Sequence, residues 1–448
     1  MNKLRNFPYQ RVLVLGLAKS GTAVSKLLAN HQIEVVANDL KASTQDTAVQ
    51  ELMDMGIDIE LGHHSLSLLE RVDVVIKNPG IPYHNSLIDE AIRRGIPVIT
   101  EVELMHYMDV DSLVGITGSN GKTTTTSLIY EMVKTDEQPV QIAGNIGFVA
   151  SEIAAEAKSN EALIVELSSF QLQGITRLKL DISVLLNIFE AHLDFHHTLE
   201  NYMEAKANIF KNQTADDVLV YNADDQLVLS MIEDAEATCI PFSMNEVLLN
   251  GTYCSDGAIF YQNERVIDVD EIVLVGQHNL ENILAAVSVA KAKGVRNQSI
   301  QSVLQTFTGV RHRLQYVSEV NGRFFYNDSK ATNILATSKA LRSFRQPVIL
   351  LAGGLDRGNG FDDLLPYVTN VKAMVLFGQT AFKLASTAEK AGIQDITIVE
   401  TMEEAVASSY NLSQSGDVIL LSPACASWDQ YRTFEERGDM FVNFVHKL

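Results

Sequence analysis

Val114-Gly-Ile-Thr117-Gly-Ser-Asn-Gly121-Lys-Thr-Thr124 is the stretch on which the reading of this chain turns. A short apolar strand runs into Gly118-Ser119-Asn120-Gly121-Lys122-Thr123, and a helical stretch follows from Thr124. Such a turn suits phosphate. Its glycines let backbone N–H groups point inward, Lys122 can reach terminal phosphates, and the Thr123 hydroxyl can ligate Mg²⁺. The helix that follows aims its positive end at the same anion. The full phosphate-loop pattern has glycine where this chain has Ile116, so the match is to the shorter core of the motif. A merely glycine-rich strand–helix turn would need neither lysine nor threonine in register, so ATP is the expected ligand.

Composition sets the frame around that loop. At 448 residues, with 46% hydrophobic residues and only 9 prolines, the chain reads as globular and divided into several domains. No apolar run approaches the ~18 residues of a membrane span, and MNKLRNFPYQ offers no apolar stretch for a secretory signal. Cys239, Cys254 and Cys425 are too few and too scattered for a disulfide framework or a zinc knuckle. A cytosolic protein and a monomer are expected. The formal charge of −21 argues against nucleic acid as a partner. It also means that positive charge for ATP must be gathered locally, with Lys122, Arg313, Lys330 and Arg357 as candidates.

Outward from the loop, the expected class is α/β: three domains, each a mostly parallel sheet with flanking helices. Residues 1–100 form a Rossmann-like unit with strands at 11–15, 34–39, 72–76 and 98–100 and a helix at 86–94. Residues 101–309 form the phosphate-loop domain, with strands at 162–166 and 182–187 and helices near 201–210 and 282–294. Residues 310–448 form a second Rossmann-like domain, with strands at 324–326, 348–351, 373–377, 396–399 and 418–421.

Chemistry is expected where strands end. Gly16-x-Ala18-x-x-Gly21 with Asp39 closing the next strand approaches a dinucleotide fingerprint, but Ala18 replaces the glycine that lets backbone meet a pyrophosphate. A different nucleotide or nucleotide-sugar is preferred to nicotinamide, with a purely structural unit as the third reading. Asn78-Pro79-Gly80-Ile81 either lines the same crevice or is a plain Pro-Gly turn. Glu166 ends an apolar strand beside the phosphate loop, where Mg²⁺ coordination is its simplest use. His192, in Glu190-Ala-His-Leu-Asp194-Phe-His-His197, follows the next strand and is a candidate ligand. His196 and His197 are weaker ones, and a zinc site there lacks close acidic partners. Lys206 reads as a solvated helical lysine, or, if it faces the metal, as a desolvated amine able to add CO₂ and become a carbamate ligand. Asn279 suits a helix cap and Asn282 an adenine edge. Asn327-Asp328-Ser329-Lys330, Gly353-Gly-Leu-Asp356-Arg357 and Leu421-Ser-Pro-Ala-Cys-Ala-Ser427-Trp428-Asp429 follow three strands of the last block, presenting polar groups to one sheet edge.

Taken together, the phosphate loop, Gly276-Gln-His-Asn279, Asn327-Asp-Ser-Lys-Ala-Thr-Asn333 and Leu421-Ser-Pro-Ala-Cys-Ala-Ser427 with Asp429-Gln430 make the chain resemble the Mur ligases over essentially its whole length. Within that family it looks like the members that add D-glutamate. The resemblance implies an ATP-dependent ligase joining D-glutamate to UDP-N-acetylmuramoyl-L-alanine through an acyl phosphate, a step of peptidoglycan precursor synthesis serving cell-wall biogenesis, shape and division. It implies that Gly118, Ser119, Asn120, Gly121, Lys122, Thr123 and Thr124 hold ATP. Thr123 and Glu166 then serve one Mg²⁺, with His192 and carbamylated Lys206 on a second. Asn282, Arg313 and Asp328 would take adenine, phosphate and ribose. Ser20, Asp39, Lys41 and Asn78 would take the UDP moiety, and Asn145 the muramoyl part. Lys330, Thr332, Arg357, Ser427 and Phe434 would receive or position D-glutamate. Two departures stand out. Ala191 replaces a frequent acid before the histidine, and Arg357 stands where lysine is common, a change that keeps a bidentate carboxylate partner. A nicotinamide dehydrogenase would leave Lys122 and Thr123 unexplained, a simple kinase would leave two Rossmann-like blocks idle, and a non-catalytic nucleotide binder would leave the acids and histidines at the strand ends without a use.

Overall fold

In the computed structural model, which describes residues 4–448, three sheets follow one another along the chain. The first has five parallel strands in the spatial order Asp58–Leu61, Glu34–Asp39, Arg11–Leu15, Val74–Lys77, Val98–Ile99. Val12 to Leu15 are wholly buried, as a strand covered on both faces must be. The chain starts at the centre, winds to one edge and returns to the other side. That reversal opens a crevice between the carboxyl ends of Arg11–Leu15 and Val74–Lys77.

The second sheet has nine strands. Ser112–Thr117 sits between Ala162–Glu166 and Ile182–Leu185, paired in parallel with both, and delivers the phosphate loop to the sheet's mouth. An antiparallel run, Thr252–Ser255, Ala258–Tyr261 and Glu264–Asp268, extends its far edge. The third sheet has six strands ordered Gln315–Val320, Arg323–Asn327, Val418–Leu421, Val348–Gly353, Val371–Phe377, Asp395–Ile398. It is parallel except for the first pair.

Residues up to 269 together with 281–303 form one compact unit, and residues 270–280 with 304–448 form another. Within the first unit, one apolar cluster runs from Val12 and Ile76 of the first sheet through Val102 and Met105 to Leu163 of the second sheet and Ile209, which follows the helix Leu199–Ala207. Each such fully buried side chain contributes about 1.5–3 kcal/mol. The segment Glu101–Tyr107 is the seam between those sheets. Glu103 is fully buried there and accepts from the backbone N–H groups of Thr176, Arg177 and Leu178 and from the Thr176 hydroxyl. The second unit builds its own cores on the two faces of the third sheet. No helix among the described residues is long and apolar enough to cross a membrane.

The expected helix from Thr124 begins two residues earlier, at Lys122, and the helix expected from Asn282 begins at Gln277. Asn279 therefore lies inside its helix, and its Nδ2 donates 2.7 Å back to the Val275 carbonyl.

Candidate active site

Gly118 and Gly121 sit at φ 157° and 85°, and Gly121 is the residue at which the helix Lys122–Thr135 begins. A side chain at Gly121 would be strained by that φ and would collide with Asn282 Oδ1. The loop is braced from the neighbouring strand end. Asn187 takes the Ser119 N–H on its backbone oxygen (2.8 Å) and the Asn120 N–H on Oδ1 (2.9 Å), and returns Nδ2 to the Asn120 carbonyl (3.3 Å). Ser119 Oγ lies 3.0 Å from the Tyr202 hydroxyl and donates to Phe189 O (3.1 Å). Lys122 folds over the loop, its Nζ donating to Gly118 O (2.8 Å) and Ser119 O (3.1 Å). Thr123 and Thr124 occupy the first turn of the helix, and Asn282 lies against that helix with Thr125 Oγ1 3.4 Å from its Oδ1.

Three groups predicted as metal ligands come to this loop in different states. Glu166 closes the Ala162–Glu166 strand and is 2% exposed. Its Oε1 accepts from Asn145 Nδ2 at 3.1 Å, while Oε2 is buried with no hydrogen-bond partner. An orphaned carboxylate oxygen is expensive in such a place unless a cation meets it. Lys206 is 1% exposed rather than solvated, with Nζ donating to Gly118 O (2.8 Å) and Thr117 Oγ1 (3.1 Å). Burial, with the Lys122 ammonium nearby, holds its pKa well below the usual lysine range, so the amine is neutral-prone. His192 stands at φ 56° and begins the short helix Leu193–His196, its residue surface largely open, with the partial desolvation of the ring and then the Lys122 charge lowering its pKa. The histidines do not converge. His196 is buried with Nε2 2.9 Å from Ser169 Oγ and its ring stacked on Phe170, and burial pushes its pKa down to about 4. His197 instead lies against His84. Among the described residues no three His, Cys, Asp or Glu side chains gather as a preformed metal cage.

At the first sheet's crevice Asn78 Nδ2 donates 3.0 Å to Ser20 Oγ. Asp39 accepts from the backbone N–H groups of Leu17 (2.6 Å), Lys41 (2.7 Å) and Ala42 (2.9 Å), so its carboxylate closes the Gly16–Ala18 turn, while the Lys41 side chain is exposed. Burial raises the Asp39 pKa, but those three N–H groups outweigh it and the net shift is downward. Ala18 adopts extended backbone at the start of its helix.

In the second unit, a cavity of about 520 Å³ opens at the mouth of the third sheet, with Thr332, Arg357 and Cys425 in its wall. The Arg357 guanidinium lies 5.3 Å from the centre of the Trp428 ring, itself 66% exposed. Lys330 Nζ stands 5.1 Å over the Phe434 ring. Ser427 is buried with an unpartnered Oγ. Asp328 accepts from Ser422 Oγ (2.8 Å) and the Leu314 N–H (3.1 Å), and desolvation pushes its carboxyl up to about 7 against the pull of Arg313. Asn282 belongs to the first unit, Arg313 and Asp328 to the second. Sequence reasoning missed Arg437. It is fully buried, donating to Ser329 Oγ and O and to the Cys425 carbonyl, and so binds two of the strand-end loops together. It also missed the clamp made by Asn187, although its place just past the Ile182–Leu185 strand is close to the strand-end signal that exposed Glu166.

Residues 10–100 match the N-terminal domain of MurD-like Mur ligases, 116–290 the Mur ligase middle domain, and 312–425 the glutamate ligase domain of Mur ligases. Proteins named UDP-N-acetylmuramoylalanine--D-glutamate ligase are similar over their full length. That of Geobacillus kaustophilus is 57% identical and that of Oceanobacillus iheyensis 55%, each covering 100% of both chains, and that of Bacillus subtilis is 54% identical over 98% of both. Among solved structures, the fold is shared with the UDP-N-acetylmuramate-alanine ligase MurC of Thermotoga maritima (TM-score 0.58, 16% identity, 98% of this chain and 99% of that one). It is shared too with the ADP complex of the MurF ligase of the same organism (TM-score 0.55, 19% identity, 97% and 95%). With three successive domains matched in order and full-length relatives above half identity, this chain belongs to the Mur ligase family.

Proposed function

We propose that this chain joins D-glutamate to UDP-N-acetylmuramoyl-L-alanine, converting ATP to ADP and phosphate, and so supplies a peptidoglycan precursor. The observation that carries the reading is full-length similarity to proteins named for that reaction, together with strand-end loops that supply the needed side chains at each of the three sheets.

Amide formation from a free carboxylate is uphill. The L-alanyl carboxylate takes the terminal phosphoryl group of ATP and becomes an acyl phosphate. The amine of D-glutamate then attacks the acyl carbon, and the tetrahedral adduct releases phosphate. Both steps concentrate negative charge, and a chain of net charge −21 must offset it locally. Lys122 would leave the loop carbonyls it now holds for the terminal phosphates, which the loop N–H groups between Gly118 and Thr124 also meet. Asn282, on the helix against the loop, would take adenine; Arg313 and Asp328 are assigned a phosphate and the ribose by the family resemblance. Asp328, its carboxyl pushed up to about 7 by burial, can donate when protonated as well as accept.

The donor set fits Mg²⁺, with an orphaned Glu166 oxygen and the Thr123 hydroxyl at the loop. Mg²⁺ supplies charge neutralisation on the phosphate oxygens when bound. We place a second ion on His192 and on Lys206 as its carbamate, a form that the buried neutral-prone amine supports. Asn145, which also steadies Glu166, would orient the muramoyl part. Ser20, Asp39, Lys41 and Asn78 would hold the UDP moiety, and Lys330, Thr332, Arg357, Ser427 and Phe434 would receive D-glutamate at the cavity of the second unit. Arg357 can clamp a carboxylate by two hydrogen bonds.

The test is ADP release with UDP-N-acetylmuramoyl-L-alanine and Mg-ATP, comparing D-glutamate with L-glutamate, L-lysine and no amine. ADP formed with D-glutamate alone is the expected result. ADP formed without any amine would favour a kinase acting on the acid.

A further inference from the structure

A lysine lies buried at the mouth of the first sheet with no carboxylate beside it. Lys77 ends the Val74–Lys77 strand at 1% exposure, and burial alone lowers its pKa, to about 7. A buried lysine amine is costly, and an apolar side chain of similar volume would fill the space at less expense. What the amine does is therefore informative. Its Nζ donates to the carbonyls of Pro79 (3.1 Å) and Ile81 (2.9 Å), drawing residues 78–83 back over the strand end. It also lies between two rings, 4.8 Å from the centre of Tyr83 and 5.8 Å from that of Phe195.

The two rings belong to segments with different duties. Tyr83 closes the same turn that carries Asn78, whose side chain spans Ser20 and the Gly80 N–H. Phe195 belongs to the helix Leu193–His196, which His192 begins. Phe170 packs edge-on against both Phe195 (4.5 Å) and His192 (5.0 Å). A continuous set of contacts thus runs from the 78–83 turn through Lys77, Phe195 and Phe170 to His192.

We propose that Lys77 is a positioning residue: it ties the turn that grips the acid substrate to the helix that carries His192, so that ordering one segment orders the other. The identity of the substrate rests on the function proposed above; the mechanical link between the two segments does not. Because Lys77 touches no reacting atom, its loss should act through placement. In Lys77→Met, KM for UDP-N-acetylmuramoyl-L-alanine should rise about tenfold as the 78–83 turn loosens, and kcat should fall about tenfold as the His192 segment is misplaced. KM for ATP should stay unchanged, because the phosphate loop keeps its own bracing. A merely structural role would move both KM values together with the melting temperature.

Amide hydrogen exchange on the intact chain reads the link without any substrate. In Lys77→Met, peptides covering 78–83 and 192–197 should both exchange about tenfold faster, with the phosphate loop unaffected. Phe195→Leu, which leaves the first sheet untouched and guards against misfolding of the first variant, should loosen 78–83 as well. If Lys77→Met loosens only 78–83, or Phe195→Leu leaves that turn protected, the proposal is wrong. Absence of D-glutamate-dependent ADP release by the unaltered chain would overturn the function proposed above while leaving the exchange result to decide the link.

Discussion

Glu166 carries one oxygen held by Asn145 and one left without a partner inside a buried pocket. That asymmetry makes a sharp prediction about charge. Glu166→Gln keeps the shape and the Asn145 contact but removes the negative charge, so kcat should fall by about 10²–10³ with little change in melting temperature. ADP release and a melting curve on the same preparation check it, and a near-normal rate would remove Glu166 from the metal site. Asp328 offers a second test. Its carboxyl goes from an ordinary value near 3.8 in the unfolded chain to about 7 in the folded one. The folded state therefore binds the proton more tightly, and this group's contribution to stability is full below about pH 4 and lost as pH rises through about 7. Asp328→Asn should flatten the fall in urea midpoint across that window, and an unchanged slope would contradict the assignment.

The Asn187 clamp belongs to the scale of elements, because it joins the end of one strand to the loop after another. Asn187→Ala removes two side-chain hydrogen bonds from the phosphate loop and should raise KM for ATP several-fold, at a stability cost of about 1–2 kcal/mol. Thr433 caps the helix Phe434–Val445 through the Glu436 N–H. Its replacement by alanine should cost about 1 kcal/mol and loosen Phe434, which melting and D-glutamate KM together would read. At this scale the sequence was legible where burial is two-sided. Arg11–Leu15, Ala162–Glu166 and Val418–Leu421 lie where their apolar runs predict, and Glu34–Asp39 lies where the shorter run Val35–Ala37 does. The antiparallel additions Gln315–Val320 and Thr252–Asp268 were not legible, since strands only four to six residues long, most of them mixing polar with apolar residues, give too short a pattern to read. The burial of Lys206 was equally invisible. Its helix has a weak apolar stripe, and only the close approach to Thr117 and Gly118 reveals which way the amine faces.

For the whole molecule, the net charge of −21 meets substrates that are all anionic. Long-range repulsion and short-range attraction then respond to salt over different distances, the Debye length being ~8 Å at physiological ionic strength. Raising monovalent salt from a few millimolar should first lower KM for the UDP substrate as the overall field is screened, and only later raise it as local contacts weaken. A KM that rises with salt from the lowest concentration onward would mean that a positive patch governs approach. Full-length relatedness and three family domains in order explain why so much of the architecture was readable from motifs alone. Long-range contacts such as Arg437 with Ser329 depend on side chains more than a hundred residues apart and leave no local trace.

Trp428 is the chain's single tryptophan, and it stands exposed beside the Arg357 guanidinium at the cavity of the second unit. The protein thus carries one intrinsic fluorophore, placed where the amino-acid substrate is proposed to arrive. Emission excited at the indole band reports on that mouth alone, free of signal from any second indole. When a carboxylate draws Arg357 off the ring, intensity should change in proportion to occupancy, giving a label-free titration of D-glutamate in the presence of nucleotide.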